Sequence, residues 1–529
     1  MIEIVEKTTA SLVTSCLLCI STIKMLGVMQ QGAYKNGAFF RWLKRKDNLF
    51  FNRLAVLSLC LALASAVTAL CFSFLGEEWA LLCSALPFFL LLLAFGKSDG
   101  RYALKVPATK TGRYLRLFAV YGLYTAILSY VLISLLSFLS VWNGSPLYAL
   151  IAYTPFAVMP MLLPILLCLA NLTTRPFEEA RNKKFIQRAG QVLDETQIIR
   201  VGIVGSYGKT SVKTILQTIL SEKYSVVVTP SSFNTPTGIA RTVFSDEFTG
   251  KQLFVAEMGA RKAGDIKELC SMVKPDYAIF TGVCRQHIKT FGSLENIYEE
   301  KSEIFRCGAK KVICGDSLKA RVGKEMGGVS YACAVENLCL GRTKTTFTLS
   351  LGGEKIEADT LLLGRSGAED IALAATLAYE MGLTVEEIKR GIAKIQPVPH
   401  RLQFMQANGV YILDDGYNCN IVGAENALEV LGLYTGGRCV VTPGIVECGV
   451  LETELNGALG KLIAKGNFEK VILVGDTLVG AVKDGYQDAG GDMQKLTTVK
   501  TLGKAQDLLS EWITEGDCVL FLNDLPDAY

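Results

Sequence analysis

The sequence predicts a multi-domain protein: an N-terminal α-helical transmembrane domain of about five spans, an α/β domain built on a phosphate-binding loop, and a smaller C-terminal α/β domain of Rossmann-like build. Three observations carry this prediction. Apolar residues are concentrated in roughly the first 170 positions, which are almost free of acids, while the remainder has ordinary globular composition. An apolar run ending in V-G-I-V-G-S-Y-G-K-T-S (Val201 to Ser211) passes directly into an amphipathic helical pattern. Further downstream, strand-like runs each end in a polar residue, as in an open parallel sheet whose ligands gather beyond the carboxyl ends of its strands.

Composition narrows the function classes. Half of the 529 residues are apolar and 20% are charged, high apolarity for a soluble enzyme. The net charge of +4 is too small to imply nucleic-acid binding, and no basic helix is interleaved with aromatics. Several of the 16 cysteines (Cys16, Cys19, Cys60, Cys71, Cys83, Cys168) lie in apolar runs, and the rest lack paired spacing. Unpaired thiols fit a reducing compartment.

Taken in order, the spans fall at about 10 to 28, 53 to 75, 79 to 95, 116 to 141 and 146 to 171, each near the length that crosses a hydrocarbon core. The third is short enough to be re-entrant. Glu3 and Glu6 at the start, with no small-residue cleavage site, make the first span an anchor rather than a signal peptide. Lys35, Arg41, Lys44, Arg45 and Lys46 follow the first span, and Lys97, Arg101, Lys105, Lys110, Arg113 and Arg116 follow the third. The other two connections hold Glu77 and Glu78, or Asn143 to Pro146. The positive-inside rule therefore places the N-terminus outside and the C-terminal part in the cytoplasm, giving a multi-pass protein of the cell membrane with the lipid bilayer as a partner. The fifth span holds Pro155, Pro160 and Pro164, which suit either an unwound segment or tolerated kinks. Residues 173–197 read as a charged linker helix.

The loop comes next. Gly205, Ser206, Tyr207 and Gly208 let backbone N–H groups turn towards an anion, and the new helix presents its positive end. Lys209 reaches outer phosphates, and the Thr210 hydroxyl, with Ser211 beside it, is placed for Mg²⁺. Isoleucine at 203 makes this the shortened G-x-x-G-K-T form. Leu253 to Ala256 then delivers Glu257, Tyr277 to Val283 leads to His287, and a helix from about Leu294 carries Lys301. Thr210, Glu257 and His287 could thus converge on metal ions and ATP phosphates. Only His287 and His400 supply imidazoles, and the strand-end position of His287 favours a metal role.

At these residues the chain resembles a known family. G-S-Y-G-K-T-S from Gly205, E-M-G-A-R-K-A-G-D-I from Glu257, H-I-K-T-F-G-S-L-E-N-I from His287 and E-K-S-E-I-F from Glu300 resemble the Mur ligases, especially the branch that adds D-alanyl-D-alanine. The likeness continues through H-R-L-Q from His400 and I-L-D-D-G-Y-N-C-N from Ile412, covering about residues 198 to 525. The resemblance implies ATP-dependent ligation of a carboxylate to an amine through an acyl phosphate. By position, it implies that Lys209 holds the β- and γ-phosphates, Thr210 with Glu257 one Mg²⁺, and His287 with a carbamylated Lys301 a second. Asn234 falls in the family's loop near the γ-phosphate. Arg401 and Asp415 match residues that the C-terminal domain brings to the nucleotide on closure, with Tyr417 and Asn418 beside them.

Departures bear on the substrate. The segment on the adenine side reads Gly364-R-S-G-A-E-Asp370, the family's amino-acid-binding motif is replaced by Leu522 to Tyr529, and another motif reads Pro443 to Gly449. Membrane helices stand where the family has its uridine-nucleotide domain. The expected organisation is a transmembrane domain over 1–172, the linker helix over 173–197, the ATP-binding domain over 198–398 and the C-terminal domain over 399–529. The expected activity is membrane-bound amide ligation on a peptide-like or lipid-linked carboxylate with an amine, in cell-wall precursor or related polymer synthesis. A scaffold that binds ATP without turning it over is the alternative, and retention of Lys209, Glu257, His287, Lys301, Arg401 and Asp415 argues against it.

Overall fold

A computed structural model describes residues 2–44, 56–60, 63, 67, 111–142, 146–231, 233–285, 288–322, 328–417, 420–446 and 448–522. It divides into two compact units, Met1–Lys183 and Lys184–Tyr529. Most of the second expected span, all of the third, His287 and Asn418 lie outside the described residues.

The first unit is helical. Helix α1 (Ile2–Ser21) leads to α2 (Ile23–Gln31), and α3 (Asn36–Leu43), α4 (Gly112–Trp142) and α5 (Pro146–Glu195) follow. Among the described residues two segments, Gly112–Leu135 and Met159–Glu195, are long and apolar enough to cross a membrane, with a third if Glu3–Ile20 and Ile23–Gln31, bent by 50°, form one broken span. Beside the bend, the Thr22 hydroxyl donates to Leu18 O at 2.6 Å and pairs with the Tyr121 hydroxyl at 2.9 Å. Small residues let α1 approach α4: Ser11 and Ser15 donate to the carbonyls of Ala126 and Gly122, as in helix pairs without a hydrophobic drive to associate. On α4, Leu123, Ile127, Val131 and Leu135 recur every fourth residue and are exposed, a ridge suited to lipid chains. Helix α5 runs through Pro155, Pro160 and Pro164 without a break. The same helix runs on over most of the expected linker at 173–197, ending at Glu195.

The second unit holds two α/β layers. In the first, β1 (Ile199–Val204), β2 (Val226–Val228), β3 (Leu253–Glu257), β4 (Tyr277–Phe280), β5 (Lys311–Cys314) and β6 (Val329–Tyr331) form a parallel sheet in the order β2-β3-β1-β4-β5-β6. Alternation along β1 sends Val201 and Ile203 into one core and Val204 into another. The first core is closed by α6 (Lys209–Leu220), with α10 (Gly364–Glu380) and α11 (Val385–Ala393). The second is closed by Ala189 and Leu193 of α5, with α7 (Pro236–Val243), α8 (Asp265–Val273) and α9 (Leu294–Ser302). Burial on both faces explains why these strands read as continuous apolar runs. A three-stranded antiparallel sheet, β7 (Val335–Leu340), β8 (Thr345–Leu351) and β9 (Glu354–Thr360), packs on the first core.

The second layer is ordered β10-β11-β15-β12-β13-β14. Its strands are β10 (Gln403–Ala407), β11 (Val410–Asp415), β12 (Arg438–Thr442), β13 (Lys470–Val474), β14 (Leu496–Val499) and β15 (Cys518–Leu522). All pairs are parallel except β10 with β11. Helices α12 (Ile421–Leu431), α13 (Glu452–Gly466), α14 (Val479–Asp488) and α15 (Leu502–Trp512) complete it.

Candidate functional site

The site grows from β1 at the centre of its sheet. Strand β1 lies between β3 and β4, so the chain crosses one way to β2 and β3 and the other way to β4 and β5, and the loop after β1 opens at the switch point. Two glycines shape that loop. At Gly205 (φ +153°) an added Cβ would lie 1.8 Å from Thr281 Oγ1, and at Gly208 (φ +73°) it would lie 2.8 Å from Asp370 Oδ1. No side chain fits at either position, so the backbone passes against its neighbours and α6 starts immediately at Lys209.

Glu257, at the end of β3 and 2% exposed, is the hub. Its Oε2 accepts from Thr210 Oγ1 at 3.0 Å and Lys213 Nζ at 3.2 Å, and its Oε1 accepts from Asn234 Nδ2 at 3.1 Å. Its backbone N–H donates to Thr229 Oγ1 at 3.1 Å, which fixes where the strand ends. Opposite, Lys209 Nζ donates to Gly205 O at 2.8 Å and Lys301 Nζ to the same carbonyl at 3.0 Å. Burial lowers the pKa of all three lysines. For Lys301 burial and then the Lys209 charge bring it to about 7.

Lys301 is aimed by its neighbour. The Glu300 carboxylate accepts the backbone N–H groups of Gly264 and Ile266, both at 2.7 Å, at the start of α8, where an anion meets the positive end of the helix. With Glu300 anchored, Lys301 projects to the loop. On the far side, burial raises the Asp370 carboxyl well above its ordinary range. The Ser206 hydroxyl is buried without a hydrogen-bond partner among the described residues, while its backbone N–H donates to Gly282 O at 2.8 Å. Ser211 sits half-buried in the first turn of α6, and the Tyr207 hydroxyl pairs with Ser317 Oγ at 3.0 Å.

The C-terminal layer contributes the loop between α11 and β10. His400 (φ +60°) and Leu402 (φ +45°) are left-handed there. Asp414 Oδ2 lies 2.7 Å from His400 Nδ1, and Asp415 Oδ1 accepts Leu402 N–H at 3.1 Å. Asp415 therefore braces the turn that presents Arg401, whose guanidinium lies 4.4 Å from the centre of the Tyr417 ring. Arg401 is near enough for its charge to lower the Lys209 pKa, after burial and against Glu257. Elsewhere, Asn426 Oδ1 of α12 accepts Ser366 N–H of α10 at 3.1 Å. A cavity of about 640 Å³ beside this contact is lined by Arg365, Glu369, Glu425, Lys465 and Phe468 among others. Arg365, Ser366 and Glu369 of the segment singled out on the adenine side line it, and the loop residues Gly205 to Ser211 do not.

The structure thus brings together Gly205, Ser206, Gly208, Lys209, Thr210, Asn234, Glu257, Lys301 and Arg401. Among the described residues no three His, Cys, Asp or Glu side chains cluster as metal ligands. The donor set still suits a magnesium-bound polyphosphate: lysine ammonium groups, an unpartnered buried hydroxyl and a helix start face one carboxylate–hydroxyl pair of hard oxygens. Sequence reasoning missed Lys213, Glu300 and Asn426 as site-building residues, and noted Asp370 only as the end of the adenine-side segment. Lys213 alone had a local signal, since it lies three positions after Thr210 and so on the same helix face.

Fold and loop together define a phosphate-loop α/β protein with an appended Rossmann-like domain. Residues 203–378 match the Mur ligase middle domain, so this part of the chain is homologous to that domain. It is 27% identical over 294 residues to the UDP-N-acetylmuramoyl-tripeptide–D-alanyl-D-alanine ligase of Escherichia coli K12, covering 52% of this chain and 64% of that one. The enzyme of the same name from Treponema pallidum is 27% identical over 336 residues, covering 61% and 71%. This chain therefore spans less than two thirds of the E. coli relative. The crystal structure of the MurF ligase from Thermotoga maritima in complex with ADP superposes with a TM-score of 0.59 at 24% identity, covering 65% of this chain and 80% of that one. At that identity the likeness bears on fold.

Proposed function

We propose that this chain is a membrane-anchored, ATP-dependent amide ligase that joins a carboxylate to the amine of an amino acid or dipeptide in the synthesis of a cell-wall precursor or related polymer. The observation that carries the reading is the convergence of Thr210, Lys213 and Asn234 on buried Glu257, opposite Lys209 and Lys301 on the Gly205 carbonyl. A substrate carboxylate oxygen attacks the γ-phosphorus of ATP and ADP leaves. The amine nitrogen then attacks the acyl carbon, phosphate leaves with the acyl–oxygen bond pair, and the proton lost by the nitrogen ends on the departing phosphate. Lys209, Ser206 and the start of α6 hold phosphate oxygens, and Arg401 adds positive charge from the C-terminal domain. Thr210 and Glu257 would hold Mg²⁺, and His287 with Lys301 a second ion; bound there, Mg²⁺ supplies charge neutralisation for phosphoryl transfer. A Lys301 amine that loses its proton near neutrality can add carbon dioxide, releasing one proton and giving an anionic carbamate oxygen that a hard cation accepts.

The proposed organisation is a five-span domain over 1–172 with the N-terminus outside, a connecting helix over 173–197, and cytoplasmic ATP-binding (198–398) and C-terminal (399–529) domains. The two apolar helices, the exposed ridge on α4 and the basic connections support it. The departures at Gly364 to Asp370 and Leu522 to Tyr529 support substrates other than those in the relatives' names, with a lipid-linked carboxylate as the leading candidate. The test is ADP release by the detergent-solubilised protein with Mg²⁺ and bicarbonate, with and without lipid-linked muropeptide and candidate amines. Release stimulated by an acceptor and abolished in Lys209→Ala is expected. Silence with every acceptor while ATP still binds would refute the ligase reading.

A further inference from the structure

The turn between α2 and α3 has no role in ligation, yet its backbone is strained: Ala33 (φ +53°) and Tyr34 (φ +58°) are consecutive left-handed residues without being glycine. Such strain persists only where its surroundings enforce it. Here Asn171 of α5, 2% exposed, donates through Nδ2 to Tyr34 O at 2.9 Å and to Asn36 Oδ1 at 2.7 Å, and Asn36 returns a bond to Cys168 O at 3.3 Å. The result places the Tyr34 ring 4.0 Å from the Arg113 guanidinium, in the first turn of α4.

The polar groups gathered there are incompletely paired. The Tyr34 hydroxyl and Asn171 Oδ1 are buried with no hydrogen-bond partner among the described residues. Arg116, one turn along α4, has its carboxylate in Glu178, which Arg181 also binds at 2.7 Å, and Arg175 has Glu179 at 2.6 Å. Among the described residues no carboxylate lies within ion-pair distance of Arg113 and no acceptor takes its N–H groups; the Tyr34 ring is in contact with it, while Glu178 and Glu179, both engaged by other arginines, act on it only through their charge. A guanidinium, a phenol and the positive start of a long helix ask for an oxyanion, and the Asn171 oxygen asks for a hydroxyl or amide donor.

We propose that Arg113, Tyr34 and Asn171 form a binding site for the phosphate of a hydroxyl-bearing headgroup at the cytoplasmic boundary of the membrane domain. Arg113 and the Tyr34 hydroxyl donate to phosphate oxygens, and Asn171 Oδ1 accepts from a neighbouring hydroxyl. The site rests on the membrane reading above and would hold a lipid-linked substrate, or a lipid, by the part that every such molecule shares.

The test uses the full chain. Membranes are first washed with alkaline carbonate, and protein released by the wash would sink the membrane reading. Integral protein is then incubated with phosphatidylglycerol or phosphatidylcholine, and retained lipid is counted by native mass spectrometry, with glycerol 3-phosphate as a soluble competitor. Wild type is expected to retain phosphatidylglycerol about tenfold better than Arg113→Gln, the worth of one charged hydrogen-bonding group. Tyr34→Phe, which removes one oxygen and keeps the ring, should lose about threefold, and Arg175→Gln nothing. Competition by glycerol 3-phosphate at matched concentration assigns the same site to a free phosphate, and its failure assigns it to lipid. Equal retention by wild type, Arg113→Gln and Tyr34→Phe overturns the site and leaves the ligase and membrane readings standing.

Discussion

Replacing Lys213 by methionine tests whether Glu257 is a compensated buried charge. Lys213 is 3% exposed, and its ammonium joins Glu257 Oε2 at 3.2 Å to Ser231 O at 2.5 Å. Methionine matches the stem and removes the charge, so Glu257 keeps only the Thr210 hydroxyl and the Asn234 amide. Breaking a buried pair from one side costs about 3–5 kcal/mol, and two surviving neutral donors put this case near the lower end, ~3 kcal/mol. For a unit the size of Lys184–Tyr529 that lowers the thermal midpoint by roughly 4 °C. A thiol-reactive dye reads the transition directly, because Cys270, Cys284 and Cys314 are buried around the β1 sheet. Neutralising the partner should repair the damage: Lys213→Met with Glu257→Gln is expected to be less unstable than the two single losses summed, by about 1–2 kcal/mol. A midpoint unchanged in Lys213→Met, or strict additivity in the double variant, would refute the idea that this lysine compensates the carboxylate.

Lys301 sets a pH dependence. The unfolded chain keeps this lysine protonated to about pH 10.4, whereas burial and then Lys209 let the folded chain release the proton near 7. Between those values the unfolded state binds more protons, so stability should rise with pH across that window, and Lys301→Met should flatten the rise in a denaturation series. If the amine is carbamylated, bicarbonate stimulation of ADP release should grow from pH 6 to 8 in wild type and vanish in Lys301→Arg. Asp370 behaves oppositely: burial raises its pKa, so wild type should lose stability relative to Asp370→Asn as pH climbs above about 4, and parallel melting curves at all pH values would contradict this. Gly208→Ala puts a methyl at φ +73° and 2.8 Å from Asp370 Oδ1. It should weaken ATP binding about tenfold or more by displacing the loop, and unaltered ATP binding in equilibrium titration would refute the claim that this glycine sets the loop.

The parts of the site legible in the sequence are those fixed by local backbone. The loop from Gly205 to Ser211 requires only a strand, a tight turn and a helix in succession, and β1 and α6 supply them at the expected positions. Strands β3 and β4 were readable for a similar reason, since burial on both faces makes a continuous apolar run. The three-stranded sheet β7 to β9 was not singled out, because its alternating strands earn their place only by covering the α10 side of the core. Glu300 looked like one more acid in an E-E-K-S-E run. Its function is to meet N–H groups 34 and 36 positions away, which no spacing rule reports.

By itself the sequence determined where anion-binding backbone can form and which segment is apolar enough for a membrane, because both depend on neighbours within a few residues. Only the tertiary structure decided how charges are shared. It put Lys213 on Glu257, stacked Lys209 and Lys301 on one carbonyl, left Asp370 against Gly208, and bent the Tyr34 turn until it met Arg113. Each outcome depends on which side chains share a desolvated space. There a charge without a partner costs far more than it does in water, so the protonation and the role of each group follow from its packing.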